Sequence, residues 1–316
     1  MGELGPEPGL SGVQDLAKPL SRELRRPRLS GHHDLVWALA MLSPALIALV
    51  MFRALPLVAA VVGSVQHDRL GTVTRTFVGF ENYATALASP EFAASLRVTL
   101  AFALVVNPLQ IALAFGLALL FAERIKGAGS LRSLLFLPVV VPPAVAALVF
   151  GFAMKPGGPI NAVLASLGIG PQPFLLSSGQ ALASIVLIVS WEGIGYWAIF
   201  LVAGLLDIPS DYEEAAAIDG AGWWRTTRSI VIPLMRRTLA FVLVADTVTN
   251  FLLFAPIQVL TNGGPAGSTN VLMYEIYQQT YTLLNPNLGF PEVVLLMVIV
   301  LLIVIVQFHL LRSLEQ

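Results

Sequence analysis

The sequence has no cysteine, which excludes disulfides and thiolate metal sites. Its four histidines are scattered without metal-ligand spacing, so no metal centre is expected. The pattern G-x-x-x-x-G-K-[ST] occurs nowhere, and a P-loop nucleotide site is excluded with it. Charge is scarce: 12% of the 316 residues are charged, against about 25% in an ordinary soluble domain. With a net charge of −1 and no basic, aromatic-rich patch, nothing points to a nucleic-acid partner. There is no internal repeat either, and so no inverted-repeat argument for a secondary transporter.

What fills the chain instead is apolar sequence, 56% hydrophobic residues. Six runs approach or exceed the roughly 20 residues that a helix needs to cross a bilayer: Leu35 to Val65, Val98 to Phe121, Leu134 to Met154, Ala181 to Leu206, Thr238 to Leu260, and Val293 to Leu311. They are continuously apolar, without a period of two, so helices are expected rather than barrel strands. The third run holds Pro138, Pro142 and Pro143, which remove backbone donors and are expected to break it. Thirteen of the eighteen Lys and Arg residues fall in alternate segments, including Lys18 to Arg28, Arg124 to Arg132, and Arg225 to Arg237. By the positive-inside rule those segments are cytoplasmic, and both termini with them. Residues 1–34 read as a flexible cytoplasmic tail and 35–316 as one membrane domain. Arg53 is placed near the outer surface, where its side chain can snorkel.

Polar residues inside the runs stand out. Glu192 and Asp246 lie deep in apolar sequence, where a charge costs about 2.5–3.5 kcal/mol on insertion scales. Asn107, Gln110 and Asn250 add amides, and Trp191 and Tyr196 flank Glu192. Carboxylates and amides beside aromatic rings suit a sugar site, while hydrogen bonding between helices accounts for the same residues without a ligand. Both readings stay open.

The longest polar insert follows the fourth run, from about 207 to 233. Ser210-x-x-Glu213 has the form of a capping box, with Asp211, Glu213 and Glu214 in the first turn of a short helix and Gly220 placed to end it in a left-handed turn. Trp223 and Trp224 follow. The insert reads either as a hairpin lying on the membrane or as a docking element for a cytoplasmic partner.

Here the residues carry a resemblance. Glu214-Ala215-Ala216, then Gly220, then Ile230-x-Ile232-Pro233 is similar to the EAA loop of permease subunits of binding-protein-dependent ABC importers, with Ile232 in place of the usual leucine. Gly79-Phe80-Glu81-Asn82-Tyr83, Leu135-Phe136-Leu137-Pro138 and Ile257 to Tyr281 resemble the carbohydrate branch, of the maltose-transporter first-subunit type in its short form. The resemblance implies a type I importer permease fold of six transmembrane helices in a bacterial or archaeal cytoplasmic membrane. It implies no enzyme activity and no cofactor in this chain, since ATP and Mg2+ belong to a partner ATPase. The implied partners are a second permease, two ATP-binding subunits and an extracytoplasmic binding protein. It makes Glu213, Glu214, Ala215, Ala216, Asp219, Gly220, Trp223, Trp224, Ile230 and Pro233 the ATPase-coupling residues; residue chemistry at membrane depth, not the resemblance, makes Asn107, Gln110, Trp191, Glu192, Tyr196, Asp246 and Asn250 candidates for the substrate path. A glycerol-phosphate or phosphodiester importer is the alternative within the family, and a stand-alone secondary transporter the alternative outside it. In the stretch Ile257 to Tyr281, Thr269-Asn270 is expected to cap the next helix, and Tyr274, Tyr277 and Tyr281 to share one face as an interfacial belt or a contact for the binding protein.

Overall fold

The computed structural model describes residues 32–68, 75–122 and 137–313. Residues 1–31 of the expected tail 1–34, with the cluster Lys18 to Arg28 among them, and Arg124, Lys126 and Arg132 lie outside the described residues, while residues 32–34 already belong to a helix. Two compact units divide the chain between Val58 and Ala59. The first unit contains α1 (His32–Leu49), a π-helical turn over Val50–Ala54 that includes Arg53, and the start of α2 (Leu55–Ser64). From Val36 to Ser64 the helical chain is long and apolar enough to cross a membrane.

The second unit continues from Ala59. A short antiparallel hairpin pairs β1 (Gln66–Asp68) with β2 (Arg75–Phe77), Gln66 opposite Phe77. Next come α3 (Glu81–Ala88), the long α4 (Pro90–Ala122), α5 (Pro143–Ala153), α6 (Pro159–Ser166) and α7 (Ala181–Leu206). The polar insert folds as α8 (Asp211–Ile218), α9 (Trp223–Thr226) and α10 (Ile232–Leu234). The chain ends with α11 (Arg236–Phe251), α12 (Ala255–Leu260), α13 (Leu272–Tyr277) and α14 (Pro286–Ser313). Five helical stretches among the described residues can span a bilayer by length and composition. The third apolar run is described only from Leu137. One helical turn at 137–140 gives way to extended backbone at Pro142 (φ −56°, ψ 136°), and α5 restarts from Pro143. The break sits where two adjacent prolines withhold donors, and it leaves α5 only 11 residues long.

The helices pack through small residues. The most extensive pairing sets α4 against α7, with Ala114, Ala118 and Ala198 fully buried between them. In lipid there is little hydrophobic drive between helices, so close backbone approach and dispersion must hold them. Gly193 marks the tightest approach: a Cβ there would lie 2.6 Å from Gln110 Nε2. Gly193→Val is therefore expected to pry α7 from α4 and cost about 1–3 kcal/mol by overpacking. Loss of the folded complex in detergent at lower temperature than the parent checks this, and an unchanged melting profile contradicts it.

Two apolar clusters anchor the α4–α7 pair to the rest. One joins Trp197, Leu201 and Val202 of α7 to Met235 and Val242 beside the insert. Another joins Phe102 and Val106 of α4 to Ile185, Ile257 and Tyr274.

Residues of the polar segments staple the helix ends. Asn82, within the Gly79 to Tyr83 motif, donates to the carbonyls of Ser64 (3.1 Å) and Gln66 (2.7 Å), and Tyr83 pairs its hydroxyl with Ser64. Thr269 does not cap α13. Its hydroxyl instead sits at the carbonyl of Gly264 and the hydroxyl of Thr261, because the turn folds back on α12 and Val271 becomes the residue before the helix. The tyrosine stripe also departs from an interfacial belt. Tyr274, Tyr277 and Tyr281 follow one another along one face, but Tyr274 is buried in the core beside Phe254 and only Tyr281 is largely exposed.

Candidate functional site

The insert between α7 and α11 is held by backbone geometry rather than by a side-chain cap. Ser210 has helical dihedrals and makes no side-chain cap bond, so the expected capping box does not form. Its carbonyl accepts from the amides of Glu213 and Glu214 (both 3.0 Å), as an N-cap carbonyl does, but its helical dihedrals depart from the extended backbone that aims a capping hydroxyl at the next amides. The other end matches the expectation. Gly220 is left-handed at φ +71°, its amide donates to Ala217 (3.1 Å), and Ala221 donates to Ala216 (2.9 Å), the two bonds of a Schellman stop.

After this stop α9 starts at Trp223, two residues beyond Ala221. Ala216 is buried, but Glu213, Glu214 and Asp219 face solvent, and Ile218, Trp223 and Trp224 are 87%, 59% and 66% exposed. A polar loop rarely leaves so much aromatic surface open without a partner. Between the loop and the ends of α4 and α7 lies a cleft of about 760 Å³, lined by Leu119, Leu205, Pro209, Glu213, Glu214 and Trp223. Beyond it a π turn over Thr227–Val231 contains half-buried Ile230 and leads to Pro233, which cannot donate to the preceding turn.

At membrane depth the seven candidate residues separate into two groups. Asn107 and Gln110 on α4 and Asp246 and Asn250 on α11 converge, all at least 90% buried. The Asn250 side-chain amide donates to Asn107 Oδ1 (2.8 Å), Asp246 Oδ1 (3.0 Å) and Gln110 Oε1 (3.1 Å). Trp197 of α7 donates its indole N–H to Asp246 Oδ1 at 2.6 Å, and Gln110 donates to the carbonyl of Val189 on α7. Thr247 accepts from Asn107 (3.1 Å) and from Gln307 of α14 (2.8 Å). Four helices thus meet in one polar network, and Asp246 Oδ2 has no partner among the described residues. Trp191, Glu192 and Tyr196 make no hydrogen bond to it among the described residues, and only Tyr196 touches it, through the Trp197 ring. Glu192 is half-buried with no hydrogen-bond partner among the described residues, while Trp191 and Tyr196 are 38% and 39% exposed and pack on Phe150 and on Trp197 with Phe200.

Trp197, Thr247 and Gln307 escaped the sequence reading. Gln307 carried a signal, as a lone amide within the sixth apolar run; Trp197 carried none, because a tryptophan in an apolar run is ordinary. At the opposite end, Glu275 receives bonds from Asn270 (2.7 Å) and Gln279 (2.8 Å), and Glu292 is fully buried.

Residues 110–316 match the family model described as "Binding-protein-dependent transport system inner membrane component". The chain belongs to that family. The permease is 36% identical over 85% of its length, and 92% of the relative's, to the "sn-glycerol-3-phosphate transport system permease protein UgpA" of Brucella abortus. It is 33% identical to the "Trehalose/maltose transport system permease protein MalF" of Thermococcus litoralis, over 84% of this chain and 90% of that one. Its fold resembles a chain of a bacterial alginate ABC transporter solved with a pentasaccharide-bound periplasmic protein, with a TM-score of 0.78 at 21% identity over 89% of the permease and 96% of that chain. The type I importer fold is thereby established, and with it a multi-pass protein of the inner membrane.

Proposed function

We propose that this permease forms one half of an ATP-driven import pore for a neutral saccharide, paired with a second permease and driven by two ATP-binding subunits. The solute arrives on an extracytoplasmic binding protein. The exposed tryptophans and acidic first turn of α8 and α9 form the contact for an ATP-binding subunit, whose ATP and Mg2+ supply the energy. Glu192, half-buried and unpaired in the middle of α7, needs a second protein surface or a water-filled path beside it, and the paired permease supplies both.

The observation that favours a neutral solute is the absence of cations from the spanning parts of the helices that carry or pack on the candidate solute residues; the first spanning stretch, Val36 to Ser64, holds Arg53. No Lys or Arg lies in α4 beyond Arg97, in α5 or α7, in α11 beyond Arg237, or in α14 before Arg312. Phosphate recognition relies on charge-assisted bonds from Arg or Lys, and a carboxylate such as Glu192 repels a phosphate. Sugars pair their hydroxyls with carboxylates and amides and stack on rings such as Trp191 and Tyr196. A glycerol-phosphate importer is the second reading, carried by the relative from Brucella abortus, and it requires the cations to come from the second permease.

Reconstitution with the partner subunits and binding protein tests both. Uptake of a disaccharide that depends on ATP, uninhibited by excess glycerol phosphate, is the expected result. Glu192→Gln is expected to lower that uptake about tenfold, about 1.4 kcal/mol, with thermal stability unchanged because no bond within the chain is lost. Uptake of glycerol phosphate alone would transfer the assignment to the second reading, and uptake without any ATPase would end the importer assignment.

A further inference from the structure

One apolar groove lies outside both sites. It has a volume of about 300 Å³ and opens between the end of α5, the turn over Phe174–Leu176, and α12. Leu148, Phe152, Leu175, Leu176, Val259 and Leu260 line it, and Lys155 stands at its end. Leu148, Phe152 and Leu176 are each more than 60% exposed. Lys155 is the only cation between Arg132 and Arg225 in sequence. Among the described residues it has no acidic partner, and its ammonium rests 5.7 Å from the centre of the Phe152 ring.

The walls are set before anything binds. Asn161 donates to the carbonyls of Lys155 (2.9 Å) and Gln172 (3.0 Å) and accepts from the Gln172 amide (2.7 Å), closing the segment that follows α5. Gln180 accepts from the amide of Phe174 (2.9 Å), which holds the turn bearing Leu175 and Leu176. Depth follows from chain length. Leu260 ends the stretch that begins at Arg236, in which α11 and α12 supply 16 and 6 helical residues across the break at 252–254, at most about 33 Å of rise, or about one hydrocarbon thickness. The groove and its lysine therefore sit at headgroup level in the leaflet opposite the Arg236–Arg237 end.

We propose that this groove binds an anionic phospholipid, one acyl chain along the apolar wall and the phosphate on the Lys155 ammonium. An apolar channel that ends on an unpaired cation at the membrane surface is complementary to an amphipathic anion. A flat protein surface pressed on the same face would strand the ammonium away from water, unless it brought a carboxylate to that one spot. The proposal holds whichever solute the permease carries.

Two measurements on the intact, co-purified complex test it. In native mass spectrometry with added phosphatidylglycerol, the parent protein is expected to retain at least one more lipid than Lys155→Ala and to bind it about tenfold more tightly. Lys155→Arg should restore this, and phosphatidylcholine should not distinguish the three. A photo-reactive phenylalanine at position 152 should become linked to a lipid chain. Equal phosphatidylglycerol binding by the parent and Lys155→Ala would overturn the proposal, as would equal discrimination with phosphatidylcholine. Cross-linking of position 152 to a second permease polypeptide would overturn it too, since that places protein over the groove.

Discussion

Asn250→Leu is expected to destabilise the permease by about 2 kcal/mol and to abolish most transport along with it. The side chain donates to acceptors on two helices, Asn107 and Gln110 of α4 and Asp246 of its own helix. Leucine fills similar space but leaves those oxygens buried without that donor, at about 1–3 kcal/mol for an unsatisfied group in water-soluble proteins. Measured interhelical bonds in membranes average less, about 0.6 and at most about 1.7 kcal/mol, because the unfolded chain finds partners too. The two N–H groups of Asn250, shared among three acceptors, give the stated value at about 0.6–1.7 kcal/mol each. Asp246→Asn, by contrast, keeps an oxygen for the Trp197 indole and is expected to be milder than Asp246→Leu. Trp197→Phe combined with Asp246→Leu should cost less than the sum of the two, since each breaks the same bond. Denaturation in detergent, read beside uptake in liposomes, separates structure from solute contact. If Asn250→Leu melts as the parent does while uptake collapses, the network is not what holds α11 to α4, and Asn250 touches solute instead.

Gly220→Val is expected to uncouple ATP hydrolysis from uptake while the membrane helices still assemble. Nothing lies within 4 Å of where a Cβ would stand, so the effect comes from the backbone alone. At φ +71° an L side chain costs about 1–2 kcal/mol, and a β-branched one more. Relief of that strain unwinds the Schellman stop and re-aims Trp223 and Trp224, whose rings lie 6.1 Å apart. A coupling element must bind the open and closed ATPase dimer with different energy, because equal binding shifts no equilibrium. Glu214→Lys reverses charge at the helix start and should weaken the same contact. Co-purification of the ATPase, hydrolysis and uptake are the readouts. Normal values for all three in both variants would return the insert to a hairpin resting on the membrane, for which only a small loss of stability is expected.

Much was legible in the sequence because bilayer physics is severe. A continuous apolar run of sufficient length has few outcomes other than a spanning helix, and adjacent prolines at 142 and 143 withhold backbone donors whatever surrounds them. The family pattern from Glu214 to Pro233 was likewise readable, since Gly220 has to accommodate a backbone that other residues resist. Side-chain bonding at the same loop was not. Whether Ser210 caps its helix depends on how the chain leaves α7, and there Ser210 takes helical dihedrals rather than the extended ones a capping residue needs.

The intramembrane polar residues mark the boundary most clearly. Their cost in lipid says that Asp246, Asn250, Asn107, Gln110 and Glu192 must each find a polar environment, and that much is intrinsic to each residue. Which environment each finds depends on helix rotation and register, set by packing of small residues such as Gly193, Ala114 and Ala198 across α4 and α7. Tertiary structure alone closed four of the five into one network with Trp197, Thr247 and Gln307, and left Glu192 open beside its rings. Hydrophobicity is a sum over local sequence, whereas a hydrogen bond between Asn107 and Asn250 requires two atoms 143 residues apart in the chain to come within 2.8 Å, and only the packed helices bring them there.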